Sequence, residues 1–522
     1  MTRSSAEIGR GLAAARDARP IPPGERVHVL GVAGAGASAA ALLAVRAGAN
    51  VSGCDPGGPS PYSAALQAAG IELTWQHSPS HVETPPAEQA VGRLAVTKAL
   101  TAVNPDHPEL LAARRRGIPA EAWQQLVADA AATAGQRLVA VAGTHGKSTT
   151  TGWLVDLLVR AGRDPSAFVG ALLQADLAGG PPATARWGDG DVFVVEADEY
   201  AGNFDPYRPE LALLLNAEWD HPDVFADEAG VVDAFAGWLR RAAAGSIRAS
   251  AGGRRPALVA NTTSQGVRAV LRSLEDWPGE IVTVCLGQEG DLADLRGRLE
   301  PGRSGPNRLI VSDLGGAERE YAVGLDGRHN AENALAVMGA ARLLEVGDDA
   351  LRASLAGFRG VGRRLELKGE AAGVTVLDDY GHHPTAIERT LEAVRGRYAG
   401  RRLWAVYEPL TYHRTAHMLE RFAEVLAKAD QVAITDIWAG RDSDTTVTSS
   451  EALAQAVARH GRASALASGS VDATAELLAG RVSAGDVVLV MGGGRSYVIA
   501  ERLLELLRAG NSRADGRGAA VR

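Results

Sequence analysis

Lysine is nearly missing from this chain of 522 residues. It occurs only at Lys98, Lys147, Lys368 and Lys428, so arginine supplies almost all of the 54 basic residues. A lysine kept in such a chain marks a place where a planar guanidinium does not replace a compact ammonium. Cysteine is scarcer: Cys54 and Cys285 stand far apart with no pairing pattern. That spacing excludes a metal-thiolate site and fits a reducing compartment. No apolar run reaches the length of a membrane span. The first 24 residues are rich in Arg, Ala and Pro without an apolar stretch, so they are not a secretory signal, and a cytoplasmic protein is expected. Net charge is 54 − 62 = −8, and no basic stripe interleaves with aromatics, so nucleic acid is not an expected partner.

What remains is the composition of a soluble globular protein, 46% hydrophobic and 22% charged, in a chain too long for one core. Length suggests about three domains. The most informative stretch is Gly143-Thr144-His145-Gly146-Lys147-Ser148-Thr149. It follows the apolar run Arg137–Ala142 and precedes an amphipathic segment from Thr151, so strand, glycine loop and helix follow one another. Such a loop turns backbone N–H groups and a helix N-terminus toward a phosphate chain. Lys147 adds a positive charge, and the Ser148 hydroxyl is a candidate Mg²⁺ ligand. Val141 stands where a full G-x-x-x-x-G-K-[ST] loop has its first glycine, so the loop is shortened.

Three α/β segments follow from the pattern of apolar runs. The first opens with the strand run Arg26–Val32, then Gly31, Gly34, Gly36 and Ser38 in a glycine turn leading to a helix, then a strand ending at Asp55. That is a Rossmann-type nucleotide layout with Asp55 placed for a ribose hydroxyl, although glycines also open alanine-rich helices for packing alone. The second segment holds the runs Asp191–Glu196 and Leu211–Asn216, which read as buried parallel strands. A hairpin is expected over Asn307–Gly324, turning at Gly315-Gly316. The third alternates strand and helix, with strands at Val374–Leu377, Leu403–Val406, Val432–Ile434 and Val487–Val490.

Several residues could carry chemistry. Glu196-Ala197-Asp198-Glu199 ends a strand, where α/β sheets bind ligands, and Glu196 facing Ser148 would suit a hard cation. A solvated acidic turn is the alternative. His221 ends the next strand near the same crevice, as a metal ligand or a structural histidine. Asn330 and Asn333 share a helix face. They suit an adenine edge, or Asn330 simply caps the helix. Adjacent His382 and His383 rarely reach one ion and have no third ligand, so zinc is not expected there.

The ordered set Gly143–Thr149, Glu196–Glu199, Asp220-His221, Gly327–Asn333, Gly362-Arg363-Arg364 and Asp378-Asp379-Tyr380-Gly381-His382-His383-Pro384 resembles the Mur ligase family, over nearly the whole chain from about Arg26. The last motif marks its alanine-adding and recycling branches. The resemblance implies a three-domain α/β fold: a Rossmann-like UDP-sugar-binding domain at 25–135, a P-loop ATPase-like parallel sheet at 136–360, and a Rossmann-like domain at 361–510 that closes on the amino acid and ATP. A flexible extension at 1–24 and a tail at 511–522 flank them. It implies ATP-dependent joining of L-alanine to the carboxylate of UDP-N-acetylmuramate through an acyl phosphate, in peptidoglycan precursor synthesis. ATP and Mg²⁺ are the implied cofactors, and a monomer or weak homodimer the implied state.

Implied catalytic residues are Lys147, Glu196, His221, His382 and Arg414, with Ser148, Glu196 and His221 as metal ligands. ATP would meet the 143–149 loop, Asn330, Asn333, Arg363 and Asp379. The UDP-sugar would meet Gly31, Gly34, Gly36, Ser38 and Asp55, and the amino acid Tyr380, His382 and Arg414. Many members carry a carbamylated lysine; with no lysine between Lys147 and Lys368 the central domain cannot supply one, which points to the alanine-adding branch. Two rival readings remain: the recycling ligase that attaches a preformed peptide, and a catalytically silent nucleotide binder, the latter motivated by the altered first turn and by Leu410 where histidine is usual.

Overall fold

The apolar runs become strands buried on both faces, in a computed structural model that describes residues 2–519 apart from 84–89, 250–254, 288–291, 301, 303–306, 441, 443 and 462. Three sheets result. The first has five parallel strands in the order Glu72–Thr74, Asn50–Cys54, Arg26–Leu30, Arg93–Val96, Ala120–Ala122. The strand expected to run to Val32 stops at Leu30 because Gly31 turns at φ 76°, a conformation open to glycine.

The second sheet has ten strands and a parallel centre, in which Arg137–Ala142 lies between Leu211–Leu214 and Val192–Ala197. The expected hairpin forms from Asn307–Asp313 and Glu318–Val323. The third sheet has six strands: Glu366–Ala371 pairs antiparallel with Val374–Asp379, and Val487–Gly492, Leu403–Glu408, Gln431–Thr435 and Ser464–Gly469 continue in parallel.

Two compact units emerge, residues 1–325 with 329–362, and 326–328 with 363–522. Within the first, the helix Ala35–Arg46 packs on strands Ser166–Leu173 and Ala183–Arg186 of the central sheet, and the Trp123 ring meets Phe168 edge-on at 5.3 Å.

The expected frayed N-terminus is corrected by this structure. Helix Ser5–Ile8 starts in a capping box made by Ser4 and Glu7, and Ile8 and Ile21 are buried. Arg16 bonds both Glu121 and Asp129, at 2.9 and 2.7 Å. Apolar anchors and an ion pair, neither visible as a periodic pattern, tie the segment down. At the other end the closing helix runs Ser496–Ala519, through most of the expected tail.

Candidate active site

The glycine loop lies between strand Arg137–Ala142 and helix Lys147–Arg160. Gly143 at φ 140° lets the backbone pass Asn216, whose amide nitrogen a Cβ would meet at 3.0 Å. Gly146 adopts the left-handed conformation before the helix, and a Cβ there would strike the Asn333 amide oxygen at 2.6 Å. The loop is clamped from the neighbouring strand's end: His145 N–H donates to Asn216 Oδ1 at 2.7 Å, and Glu218 N–H donates to Thr144 Oγ1 at 2.9 Å. Lys147, Ser148 and Thr149 form the first turn of the helix, where the dipole favours an anion.

Lys147 is held within the loop. Its Nζ donates to Gly143 O at 2.6 Å and to Glu199 Oε2 at 3.0 Å, with Asp198 Oδ1 at 3.5 Å. Burial works against the ammonium, but Glu199, Asp198 and Glu196 outweigh it and keep Lys147 charged. Burial, with help from Asp198, pushes Glu199 well above the usual carboxylate range against the pull of Lys147. Ser148 Oγ donates to Glu196 Oε1 at 3.1 Å, so the facing pair read from sequence is present, and Gly170 N–H donates to the other oxygen at 2.7 Å.

His221 takes φ 55°, a strained value for a non-glycine residue. Its Nε2 lies 3.8 Å from Glu199 Oε1, and Asp198, Glu199 and His221 bring one ligand atom each within 4.8 Å of one another. The structure thus groups His221 with Asp198 and Glu199, two carboxylates of the strand-end run to which the sequence assigned no separate role. Sequence reasoning passed over Lys98. Its Nζ donates to Ala201 O at 2.7 Å, just beyond this carboxylate run, and burial brings its ammonium down to about 8. The scarcity of lysine was the signal that could have found it. Asn330 and Asn333 are both buried on helix Arg328–Leu343, and Asn333 Nδ2 donates to Asn330 Oδ1 at 3.2 Å.

At the C-terminal ends of the first sheet, Asp55 accepts from Ala33 N–H at 3.2 Å and Gly57 N–H at 2.9 Å, closing the turn that carries Gly31 and Gly34. Gly36 and Ser38 serve the interior. A Cβ on Gly36 would fall 2.2 Å from the Trp123 ring, and the fully buried Ser38 Oγ meets Ala35 O and Thr184 Oγ1, both at 2.9 Å.

The second unit has its own polar cluster at the strand ends. Arg363 Nε pairs with Asp378 at 3.1 Å and its NH2 group donates to Gly492 O and Ser496 Oγ. Burial lifts Asp378 to about 6 despite Arg363. Asp379 accepts from Leu365 N–H and Gly381 N–H, each at 2.7 Å, and Arg363 and Arg364 lie 5.0 and 4.8 Å from the Tyr380 ring centre. His382 Nδ1 lies 2.9 Å from Tyr380 O, and its ring meets Tyr380 edge-on. Arg414 is buried on the short helix Tyr412–His417. Leu410 and Tyr380 pack about Gly493.

Three family descriptions match in chain order: the Mur ligase family catalytic domain at residues 26–134, the Mur ligase middle domain at 141–341, and the Mur ligase glutamate ligase domain at 363–494. The UDP-N-acetylmuramate–L-alanine ligase of Kineococcus radiotolerans is 38% identical, over 92% of this chain and 96% of that one. Its counterpart in Streptomyces coelicolor is 35% identical, over 92% and 98%. Among solved structures, the UDP-N-acetylmuramate–alanine ligase of Thermotoga maritima shares the fold with a TM-score of 0.75 at 22% identity, covering 93% of this chain and 99% of that one. A murein peptide ligase of Psychrobacter arcticus gives 0.67 at 25% identity, with the same coverage.

Proposed function

This chain belongs to the Mur ligase family, and on that premise we propose that it joins L-alanine to the carboxylate of UDP-N-acetylmuramate, converting ATP to ADP and phosphate. The observation that carries this reading is the likeness, over nine-tenths of both chains, to relatives named for that reaction. No helix among the described residues is long and apolar enough to cross a membrane, in keeping with a cytoplasmic substrate pool.

A carboxylate is a poor acylating agent because oxide does not leave. Transfer of the γ-phosphoryl group makes an acyl phosphate; the neutral amine of alanine then adds to the carbonyl carbon, and phosphate departs from the tetrahedral intermediate. The loop amides at 143–149 hold the phosphates, and Lys147 offsets charge that develops during transfer. Asn330 and Asn333 offer an adenine both donor and acceptor.

The oxygen-rich set of Ser148, Glu196, Asp198 and Glu199 with His221 fits Mg²⁺, a hard cation that takes oxygen donors and keeps several waters. When bound, Mg²⁺ neutralises phosphoryl oxygens. Arg414 pairs with the carboxylate of alanine, beside Tyr380 and His382. The turn at Gly31 and Gly34, closed by Asp55, receives the UDP group.

A ligation assay with UDP-N-acetylmuramate, ATP and either L-alanine or a tripeptide tests the reading. Ligated L-alanine is the expected product. Preference for the tripeptide would move the chain to the recycling branch, and background phosphate release with all substrates present would make it a silent binder.

A further inference from the structure

Outside the ATP loop, a dense group of metal-binding side chains lies in the N-terminal sheet. His28 on the first strand, Cys54 at the end of the second, His81 in helix Ser80–Glu83 and Glu109 in helix Pro108–Arg115 place four ligand atoms within 4.8 Å of one another. His28 Nε2 lies 3.3 Å from Cys54 Sγ and 3.4 Å from Glu109 Oε2. Cys54 Sγ and His81 Nδ1 each lie 3.4 Å from Glu109 Oε1. Zinc bonds of about 2.0–2.3 Å in a tetrahedron set ligand atoms about 3.3–3.7 Å apart, so these separations already match the edges of such a site.

The outer contacts point the same way. His28 Nδ1 lies 2.8 Å from Ser52 Oγ and His81 Nε2 lies 3.3 Å from Thr74 Oγ1, so hydroxyls hold one nitrogen of each ring and turn the other inward. His81 Nδ1 is a buried atom with no hydrogen-bond partner. Cys54 and Glu109 are completely buried. His77 Nδ1 stands at the edge, 3.2 Å from Cys54 Sγ. The donors are soft and borderline, unlike the oxygen set at Lys147, so they select zinc over magnesium. The cysteine spacing that excluded a thiolate site considered only cysteine pairs. Here one thiol joins histidines and a carboxylate from four separate elements.

We infer that His28, Cys54, His81 and Glu109 form a structural zinc site that pins the first two strands to the 80–83 and 108–115 helices.

Tag-free full-length protein, stripped with chelator, tests this by titration with Co²⁺ as a spectroscopic substitute for Zn²⁺. The expected result is about one Co²⁺ per chain with a thiolate-to-cobalt charge-transfer band that Zn²⁺ abolishes, and a thermal midpoint that rises with Zn²⁺. The residues grouped at Lys147 include no sulfur, and the Cys54→Ser variant separates the cluster's band from any at the other thiol, Cys285. Cys54→Ser loses the band, and His81→Ala, at the more exposed edge, weakens Zn²⁺ binding by about 10-fold or more. Folded wild-type protein without the band at stoichiometric Co²⁺ overturns the assignment. So does a band that survives in Cys54→Ser, or Zn²⁺ affinity unchanged in His81→Ala.

Discussion

Lys147 meets four acceptors with one ammonium: two loop carbonyls and two carboxylates. Three donors on a flexible stem do this, and a planar guanidinium does not. Lys147→Ala is predicted to lower phosphate release by about 10²–10³-fold, the scale of losing one charge-stabilising donor. Lys147→Arg, though charged, is predicted not to restore it. UDP-sugar binding, followed by calorimetry, stays unchanged in both. The loop and the Ser148–Glu196 pair were legible because a glycine loop and a strand-end carboxylate are local signals. Glu199 was not legible. The chain leaves its strand at Ala197 and curls into the turn at Tyr200–Gly202, where Ala201 takes φ 48°, so alternation no longer tells which carboxylate faces Lys147.

At the scale of elements, the first glycine turn divides into two functions. Gly36→Ala is predicted to destabilise the protein by about 1–3 kcal/mol in urea, because its Cβ strikes Trp123, while ATP affinity stays constant. Sequence spacing grouped Gly36 with Gly31 and Gly34; only the packing of helix Trp123–Ala134 on helix Ala35–Arg46 separates them.

That helix also carries Asp129, fully buried and bonded by Arg16, Arg93 and the Arg19 N–H. Burial pushes its carboxyl up, but these partners outweigh it and hold it below the usual range. The stability it contributes is complete above about pH 3.9, the unfolded value, and is lost as pH falls through the lower folded value. Asp129→Asn is predicted to cost about 3–5 kcal/mol at neutral pH, since it leaves Arg93 buried with a partner removed, and to flatten the fall of the thermal midpoint in acid. Short strands such as Glu72–Thr74 and Ala120–Ala122 escaped the sequence because three residues give no period to read.

For the whole molecule, the N-terminal segment staples one unit together. Arg3 donates to Ala102 O at 2.8 Å while its N–H donates to Asp223 O at 2.7 Å, so it ties the first sheet's domain to the central one. Deletion of residues 2–24 removes Ile8, Ile21 and Arg16, and with burial worth about 1.5–3 kcal/mol per isoleucine it is predicted to lower the first unit's melting transition. Calorimetry then shows two transitions, the unit 363–522 melting unchanged.

The ligase account rests on a phosphoryl group passing from ATP to a carboxylate at the Lys147 loop. UDP-N-acetylmuramate labelled with ¹⁸O in both carboxylate oxygens, turned over with ATP and L-alanine, tests that transfer directly by mass spectrometry of the released phosphate. One labelled oxygen in each phosphate is the predicted result, because the bridging oxygen of the acyl phosphate leaves with phosphorus. Unlabelled phosphate would contradict the account.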